Sequence, residues 1–585
     1  MQSIAVKRLS MKKHLRMALA CMALAMLVTS CKKYLEETPY NSITPGNLYN
    51  TKEGITNGIN GLYAKLRAIY APENMFYLCE GPSDLWLAGV GAAPAFLQWN
   101  IDANTNDIRQ LWNSSYESIN QANSVIDALE NVEITNLDDS LKNRYLAEAR
   151  FIRAHFYYHV VQQYGDPYFT TTPAEGVQTT ATRTPAAQVW QFVIDELEFA
   201  AANLPEQYDA AEYGHATKYA ALHHLARVYL TVKRDNNDLQ KARAAADQVI
   251  NSGRYSLMPS HADLFRLSNE RNSEVLFSVL YSKTPELNGN GNESHLFFTC
   301  AYSEEHPGVQ RVTEYGRPYS RLRPSWYYQN LFNGDIDQRW DDDFRTSWNI
   351  TVDETTTDMY NPNTNAAETV AWKKGQRAMF IPKTLIDIDS VKALWPVYVF
   401  LPDSMRNEIN PETDIQPNGP WPSNTRFQNP KLFANLIKFQ DQERPDVNTT
   451  QGSRDYFIFR LADTYLLAGE AAFLLGDPSA AAGYINKVRE RAAKEGSQGA
   501  MDITPEQVSI NFILDERARE LGGEMFRWYD LLRTGKLMEQ MTNPNINPVV
   551  APKFKDYMKL RPIPRDQLTR MSNPADFPQN PGYGN

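Results

Sequence analysis

Residues 513–536 read ILDERARELGGEMFRWYDLLRTGK, an apolar row threaded through charges. Leu514, Ala518, Leu521, Met525, Trp528 and Leu532 recur at three- or four-residue steps, the period of a helix that buries one face. Gly522-Gly523 predicts a break inside the row. Glu516, Arg517, Arg519, Glu520, Glu524, Arg527, Asp530 and Arg533 interleave with the apolar face, so the spacing predicts a partly buried ion-pair network. In this reading the acids serve packing, not catalysis.

The same helical period extends outward along the chain. Tyr145, Ala149, Ile152, Phe156 and Val160 form one row, and Leu461, Tyr465, Ala468, Ala472 and Leu475 another. A third helix is predicted from about Lys218 to Val232, with Tyr219, Leu222, Ala226 and Tyr229 on one side. Each is followed by a turn signal and an Ala-rich helix: Pro185 to Ala202, Asp238 to Asn251, and Pro478 to Ala492. Alanines let paired helices approach closely, and the pairing resembles tetratricopeptide-type hairpins without a clean repeat period. The fold class is therefore mainly α, a tetratricopeptide-like scaffold. Trp112, Trp190 and Trp528 sit inside periodic helices and are assigned to the core.

Residues 284–450 have a different texture, rich in Asn, Pro, Gly and aromatics, with short β-like runs at 378–381 and 397–400. Trp326, Trp340, Trp348, Trp372, Trp395 and Trp421 all fall there, more than half of the eleven tryptophans. Irregular segments carried by a rigid scaffold are where binding surfaces are usually built, so this stretch is expected to be a loop-rich ligand-binding portion with short β elements.

Motifs for chemistry are absent. Asp341-Asp342-Asp343 and Glu304-Glu305 are consecutive acids that point in different directions, unlike the paired carboxylates of a glycosidase. His155 and His159 have metal-ligand spacing, but the intervening Phe156-Tyr157-Tyr158 lacks a zinc protease's glutamate, so they are read as packed helix histidines. Asn333-Gly334-Asp335-Ile336-Asp337 resembles weak calcium ligands without the full EF-hand spacing, so no cofactor or metal is assigned. There is no nucleophile elbow, phosphate loop or dinucleotide fingerprint. Aromatic rings in loops have another use: the apolar C–H face of a sugar stacks on them while amides and guanidinium groups bond its hydroxyls. The candidates are Trp86, Trp99 with Asn100, and the cluster Tyr315, Arg317, Tyr319, Arg321 and Trp326.

At the N-terminus, Lys7, Arg8, Lys12, Lys13 and Arg16 precede an uncharged run from Met17 to Ser30, too short to span a bilayer. Thr29 and Ser30 before Cys31 match a lipoprotein cleavage site, so residues 1–30 read as an export signal and Cys31 as the lipid-bearing first residue. Several acyl chains hold durably, at about 0.8 kcal/mol per buried methylene, where one chain holds only marginally. Residues 31–50 read as a tether. The five cations leave with the signal, so the net charge moves from −10 to −15, which disfavours nucleic acid and anionic lipid as partners. Cys79 and Cys300 remain, and spacing alone leaves open whether they pair.

The 513–536 block closely resembles the C-terminal signature of the SusD/RagB family, outer-membrane nutrient-binding lipoproteins of Bacteroidota. Residues 112–128, 147–154, 164–167, 216–221, 460–463, 561–564 and 579–583 look like further blocks of that family in order, and Glu36 and Glu37 resemble its surface-export signal. The resemblance implies a division into residues 51–283 (helical), 284–450 (irregular) and 451–585 (C-terminal helical). It implies a protein at the cell outer membrane, lipid-anchored and facing the exterior, that captures oligosaccharides without cleaving them. It would deliver them to a SusC-like TonB-dependent transporter. Capture of peptides or another nutrient is the alternative within this architecture, and a surface glycoside hydrolase is the alternative outside it. Trp99-Asn100, just before the Trp112 helix, lies roughly where family members often place a stacking aromatic and is the first choice of site. The Tyr315 to Trp326 stretch is the second.

Overall fold

The computed structural model describes residues 48–81, 83–90, 95–384 and 386–584. Cys31 and most of the expected tether lie outside the described residues. No described helix is long and apolar enough to cross a membrane.

The main helices are α1 (Lys52–Lys65), α2 (Glu73–Cys79), α3 (Asn106–Asn131), α4 (Asp139–Tyr164), α5 (Ala186–Asn203), α6 (Lys218–Val232), α7 (Asn236–Ile250), α8 (Leu461–Leu474), α9 (Pro478–Ala492), α10 (Ile510–Leu521) and α11 (Arg527–Arg533). Their starts are written in local chemistry. Asp138, Thr217, Asp235, Asp477 and Ser509 each cap a helix by accepting a first-turn backbone N–H, and Pro478 pre-sets the first residue of α9. The pairs α4/α5, α6/α7 and α8/α9 form hairpins that stack in order, α5 on α6 and α7 on α8. This is the mainly α, tetratricopeptide-like scaffold that the periodicity predicts.

The 145–160 row is buried throughout, and α4 is covered on nearly every side. In the last hairpin Ala468, Ala471 and Ala472 are fully buried, as are Ala481 and Ile485 opposite. A methyl group on Gly469 would come within 3.2 Å of Ile485, so small residues set how closely these helices approach. Tyr465 and Leu475 lie at the edge of that face and are only partly buried. Trp112 and Trp528 are core residues as expected; Trp190 is half-buried, its ring 5.8 Å from that of Tyr158.

The sheets are small. Strands β1 (Trp86–Ala88), β2 (Val275–Val279), β3 (Leu322–Pro324), β4 (Ser347–Asn349), β5 (Glu354–Asn361), β6 (Ala366–Trp372), β7 (Arg377–Phe380), β8 (Tyr398–Leu401), β9 (Thr425–Phe427) and β10 (Tyr456–Arg460) form a four-stranded sheet of order β9-β8-β7-β4 and three two-stranded pairs. The β-like runs at 378–381 and 397–400 thus become β7 and β8, paired in parallel with Met379 opposite Tyr398. The pair β1/β3 aligns Trp86 with Pro324 and sews the irregular portion to the N-terminal helical part, and β2/β10 aligns Val279 with Tyr456 and joins the two helical parts across it.

The 513–536 block holds these parts together. It breaks at Gly522-Gly523 as predicted, between α10 and α11. Its charges are buried more deeply than the spacing suggests. Arg460, at the end of β10, bonds Glu524 at 2.7 Å, Glu520 at 2.6 Å and Glu274 at 2.9 Å. Arg339 bonds Asp337, Glu516 and Glu520 at 2.8, 2.8 and 3.0 Å. His261 lies between Asp343 and Glu520, at 2.8 and 3.0 Å. On the other side of α10, Arg517 joins Asp463 of α8 to Asp530 of α11 at 2.8 and 2.7 Å. One helix therefore fixes the register of β10, α8, α11 and segment 337–343 through fully desolvated charges.

Candidate functional site

An open cleft of about 1100 Å³ lies where the end of α1 meets α2, the first turns of α3 and segment 281–293. Arg67 follows α1 in a single tight turn, Leu66–Ala68. Its Nε and Nη2 donate to the Leu280 carbonyl at 3.0 and 2.7 Å, and its Nη1 donates to the Leu287 carbonyl at 2.8 Å. The guanidinium lies 5.1 Å from the Tyr281 ring centroid, and the Tyr281 hydroxyl donates to the Tyr70 carbonyl at 2.6 Å. Cation and ring are thus locked before any ligand arrives.

The opposite wall is acidic. Glu73 opens α2 and accepts from Arg321 Nε at 2.6 Å and from the Tyr77 hydroxyl. Asp107 and Glu293 line the same space. Burial, then the charge of Glu73, pushes the Asp107 carboxyl up to about 6 and raises that of Glu293. Asn74, Gln110, Ser114, Asn290 and Gln451 add neutral donors and acceptors. The loop Asn288-Gly-Asn-Gly-Asn292 approaches Gln451 so closely that a methyl on Gly291, at φ +71°, would lie 2.6 Å from the Gln451 Cβ. Only glycine fits that turn. Vicinal hydroxyls suit this wall: carboxylates accept from them, amides do both, and the half-buried Tyr281 ring supplies apolar area.

The first-choice residues are elsewhere. Trp99 is 4 % exposed, its ring stacked on Trp528 at 5.7 Å and edge-on to Phe554 at 4.7 Å, with the Arg561 guanidinium 5.4 Å away. It sits at φ +52° and plugs the core instead of offering a face to a sugar. Asn100 beside it is exposed, without a ring to work with. Trp86 is buried against Phe298 and donates Nε1 to Glu80 at 2.9 Å. Tyr315 is buried too, its hydroxyl accepting the Asn349 N–H at 3.0 Å.

The second stretch reaches the cleft only at one end. Arg317 donates to the Asn448 carbonyl, and Arg317 and Arg321 lie 5.3 and 5.2 Å from the Tyr319 ring, so Tyr319 passes to the cleft through the Arg321–Glu73 pair. Trp326 is half-buried at the start of the short helix Trp326–Asn330. Half of the tryptophans of the 284–450 stretch are core, with Trp340, Trp348 and Trp372 buried and Trp326, Trp395 and Trp421 half-buried. The candidate cleft residues Arg67, Glu73, Asp107, Tyr281 and Glu293, none of them singled out by the sequence, come from four separate segments, and the Asn-Gly-Asn-Gly-Asn run is the one local sign of them.

The other candidates resolve into structure. Asp343 is buried with His261 and lies 3.6 Å from Lys438, while Asp341 pairs with Lys494 at 2.7 Å. Asp337 is committed to Arg339 within the calcium-like run. His155 and His159 bond Tyr70 at 2.9 and 3.3 Å in the core. Among the described residues no group of three or more His, Cys, Asp or Glu is placed to hold a metal. Cys79 and Cys300 are buried free thiols, each pushed up to about 12 by burial.

Comparison with known proteins adds to this geometry. The SusD family model matches residues 273–583, more than half of the chain. The chain belongs to the SusD family. A second family model, described as starch-binding associating with outer membrane, matches residues 33–230. A SusD-like protein of Formosa agariphila, P25, is 25 % identical over 562 residues, covering 92 % of this chain and 94 % of its own. Among solved structures, a laminarin-binding SusD-like protein superposes with TM-score 0.63 at 22 % identity, covering 92 % of this chain and all of its own. Surface glycan-binding protein A from Bacteroides thetaiotaomicron, in complex with laminarihexaose, gives 0.64 at 18 %, covering 91 % and 99 %. These two likenesses establish the fold that this SusD-family chain shares with them.

Proposed function

We propose that this protein is a non-catalytic, lipid-anchored capture protein of the outer-membrane surface that binds oligosaccharides in the Arg67–Tyr281 cleft. It passes them to a SusC-like TonB-dependent transporter. The observation that carries the reading is the cleft itself: a pre-set cation–ring pair faces carboxylates and amides across an open space of about 1100 Å³ in a SusD-family chain. Binding through few rings and many hydroxyl contacts suits roughly micromolar to millimolar affinity, enough for capture and weak enough for release. Laminarin is a first ligand to try, because two structural neighbours bind it or its hexasaccharide.

The test uses the full chain, purified in mild detergent, against laminarin, starch, xylan and mannan in affinity gels, with reducing ends assayed alongside. Retardation by one polysaccharide without new reducing ends supports capture. Cleavage would replace this reading with hydrolysis, and copurification with a barrel transporter tests delivery.

One observation favours a second reading within the same architecture. The charge acting on Asp107 and Glu293 is that of Glu73, so the wall would welcome a cation, as on a basic peptide. Binding of an Arg- or Lys-bearing peptide that weakens steeply with salt, with no retardation by any glycan, would favour it.

A further inference from the structure

Helix α3 separates the cleft from a second concavity. Asp107, Gln110 and Ser114 face the first, while Asn113, Tyr116 and Glu117 face the second, as successive residues 100° apart around one helix must divide between two sides. The second space is about 380 Å³ and is closed by segment 168–181 and by residues 567–577. Its floor is the pair of half-buried rings Tyr116 and Tyr168, 5.9 Å apart, backed by the buried Trp112 at 4.7 Å from Tyr116. The Tyr116 hydroxyl donates to the Tyr168 carbonyl at 2.7 Å, which fixes both. Its rim carries amides from three different segments, Asn113, Gln178 and Gln567, and Gln567 donates to Asn113 at 3.3 Å. Glu117 on the same rim is paired with Lys65 at 3.6 Å.

We propose that this concavity is a second glycan subsite, engaged by the continuation of a chain whose end lies in the Arg67–Tyr281 cleft. Rings below and neutral amides around the edge are the complement of a sugar's C–H face and equatorial hydroxyls. A protein loop would find only Glu117 and Arg570, already paired with Lys65 and with Asp566 at 3.7 Å, and a small apolar molecule would leave the amides without partners. The two sites lie on adjoining faces of one helix, a separation that a few units of an extended glycan span. Ser114 on one side and Glu117 on the other are three residues, or about 4.5 Å of helix rise, apart. Two weak subsites on one ligand raise apparent affinity without any new contact, but only for ligands long enough to reach both. The inference rests on the glycan reading above for the class of ligand, and not on the first cleft's affinity.

The experiment compares long and short ligands on the full chain in detergent: laminarin, starch, xylan and mannan, and the disaccharide of each. Tyr168→Ala removes a ring, Tyr168→Phe keeps it, and the exposed pair Gln178→Ala and Arg570→Ala tests the rim should Tyr168→Ala lower the melting temperature. The proposal expects Tyr168→Ala to weaken polysaccharide binding about tenfold, disaccharide binding to stay within about twofold, and Tyr168→Phe to match the parent. Polysaccharide binding unchanged in Tyr168→Ala and in the rim variant overturns the second subsite and leaves the first cleft standing. Equal loss for disaccharide and polymer overturns the division between the sites. Loss of barrel association with intact glycan binding reassigns the surface to a protein contact. Absence of any glycan binding by the parent chain overturns both readings together.

Discussion

The Arg67 guanidinium lies 5.1 Å from the centre of the Tyr281 ring, although the two residues are more than two hundred positions apart. Arg67 reaches back to the carbonyls of Leu280 and Leu287 on either side of that ring, so α1 and the segment after β2 are bolted together at the cleft. The proposed binding surface is thereby part of the scaffold, and its residues are separable from those that only hold the core.

Trp99 makes the separation testable. Its ring is enclosed by Trp528, Phe554 and Arg561. Trp99→Ala is expected to lower stability by about 3–5 kcal/mol, read by urea unfolding, while glycan retardation per folded molecule is unchanged. Loss of retardation at full stability would return Trp99 to the site.

Asp107 gives the cleft a pH response. Burial, then Glu73, lifts its carboxyl to about 6, so the acceptor form that sugar hydroxyls need fills in as pH rises from about 5 to about 7. Glycan affinity measured by calorimetry should increase across that window and lose the increase in Asp107→Asn. A flat profile in the parent chain would exclude Asp107 from ligand contact.

Arg460 tests the buried network. It serves Glu274, Glu520 and Glu524 at once, and removing it leaves desolvated carboxylates without their cation. Arg460→Ala is expected to cost about 3–5 kcal/mol and to loosen β10 and α10 together in hydrogen exchange. A variant within about 1 kcal/mol of the parent would show that the network contributes little to docking these elements.

Acid should act through histidines. His155, His159 and His224 cluster, with ring centroids 4.9 and 5.1 Å from His155. Burial, then the Arg227 charge, holds His159 at about 3; burial, then His159, depresses His155; and burial, then Arg227, depresses His224. The unfolded chain takes up these protons near pH 6.5 and the folded chain does not, so their contribution is complete above that pH and is lost as pH falls toward about 3. Glu80, lifted by burial to about 7, works in the opposite sense between about 4.5 and 7. Below about 4.5 it is protonated in both states, and the histidine slope is exposed. Burial alone would raise Asp463, but Arg227 and Arg517 hold it well below the ordinary carboxylate range, so its stabilisation is lost on the acid side as well. Stability should fall by about 1.4 kcal/mol per pH unit for each histidine in that range, and His159→Asn should flatten the curve. Equal slopes in both proteins would contradict this.

The helices are legible in the sequence because apolar residues recur at three- or four-residue steps, as in the Tyr145–Val160 row of α4 and the Leu461–Leu475 row of α8, although α4 is covered on nearly every side. The ion-pair block is legible for the same reason, though not its depth, since the partners Glu274, Arg339 and Asp463 come from distant segments. The cleft is not legible. A tryptophan in a short loop, such as Trp99, looks available for stacking until the chain folds a second tryptophan and a phenylalanine over it. Conversely, Arg67, Asp107 and Tyr281 sit in unremarkable local sequence and acquire their meaning only when α1, α3 and segment 281–293 converge. Local pattern reports on local burial; convergence of remote segments leaves no mark that a period can detect.

The most direct measurement is affinity electrophoresis of the full chain and of Tyr281→Ala through gels containing each polysaccharide of the panel, with reducing ends assayed in parallel. The account predicts that one polysaccharide retards the parent chain, that Tyr281→Ala weakens this about tenfold per folded molecule, and that no reducing ends appear. Retardation that is indifferent to Tyr281→Ala, or release of reducing ends by the parent chain, would contradict it.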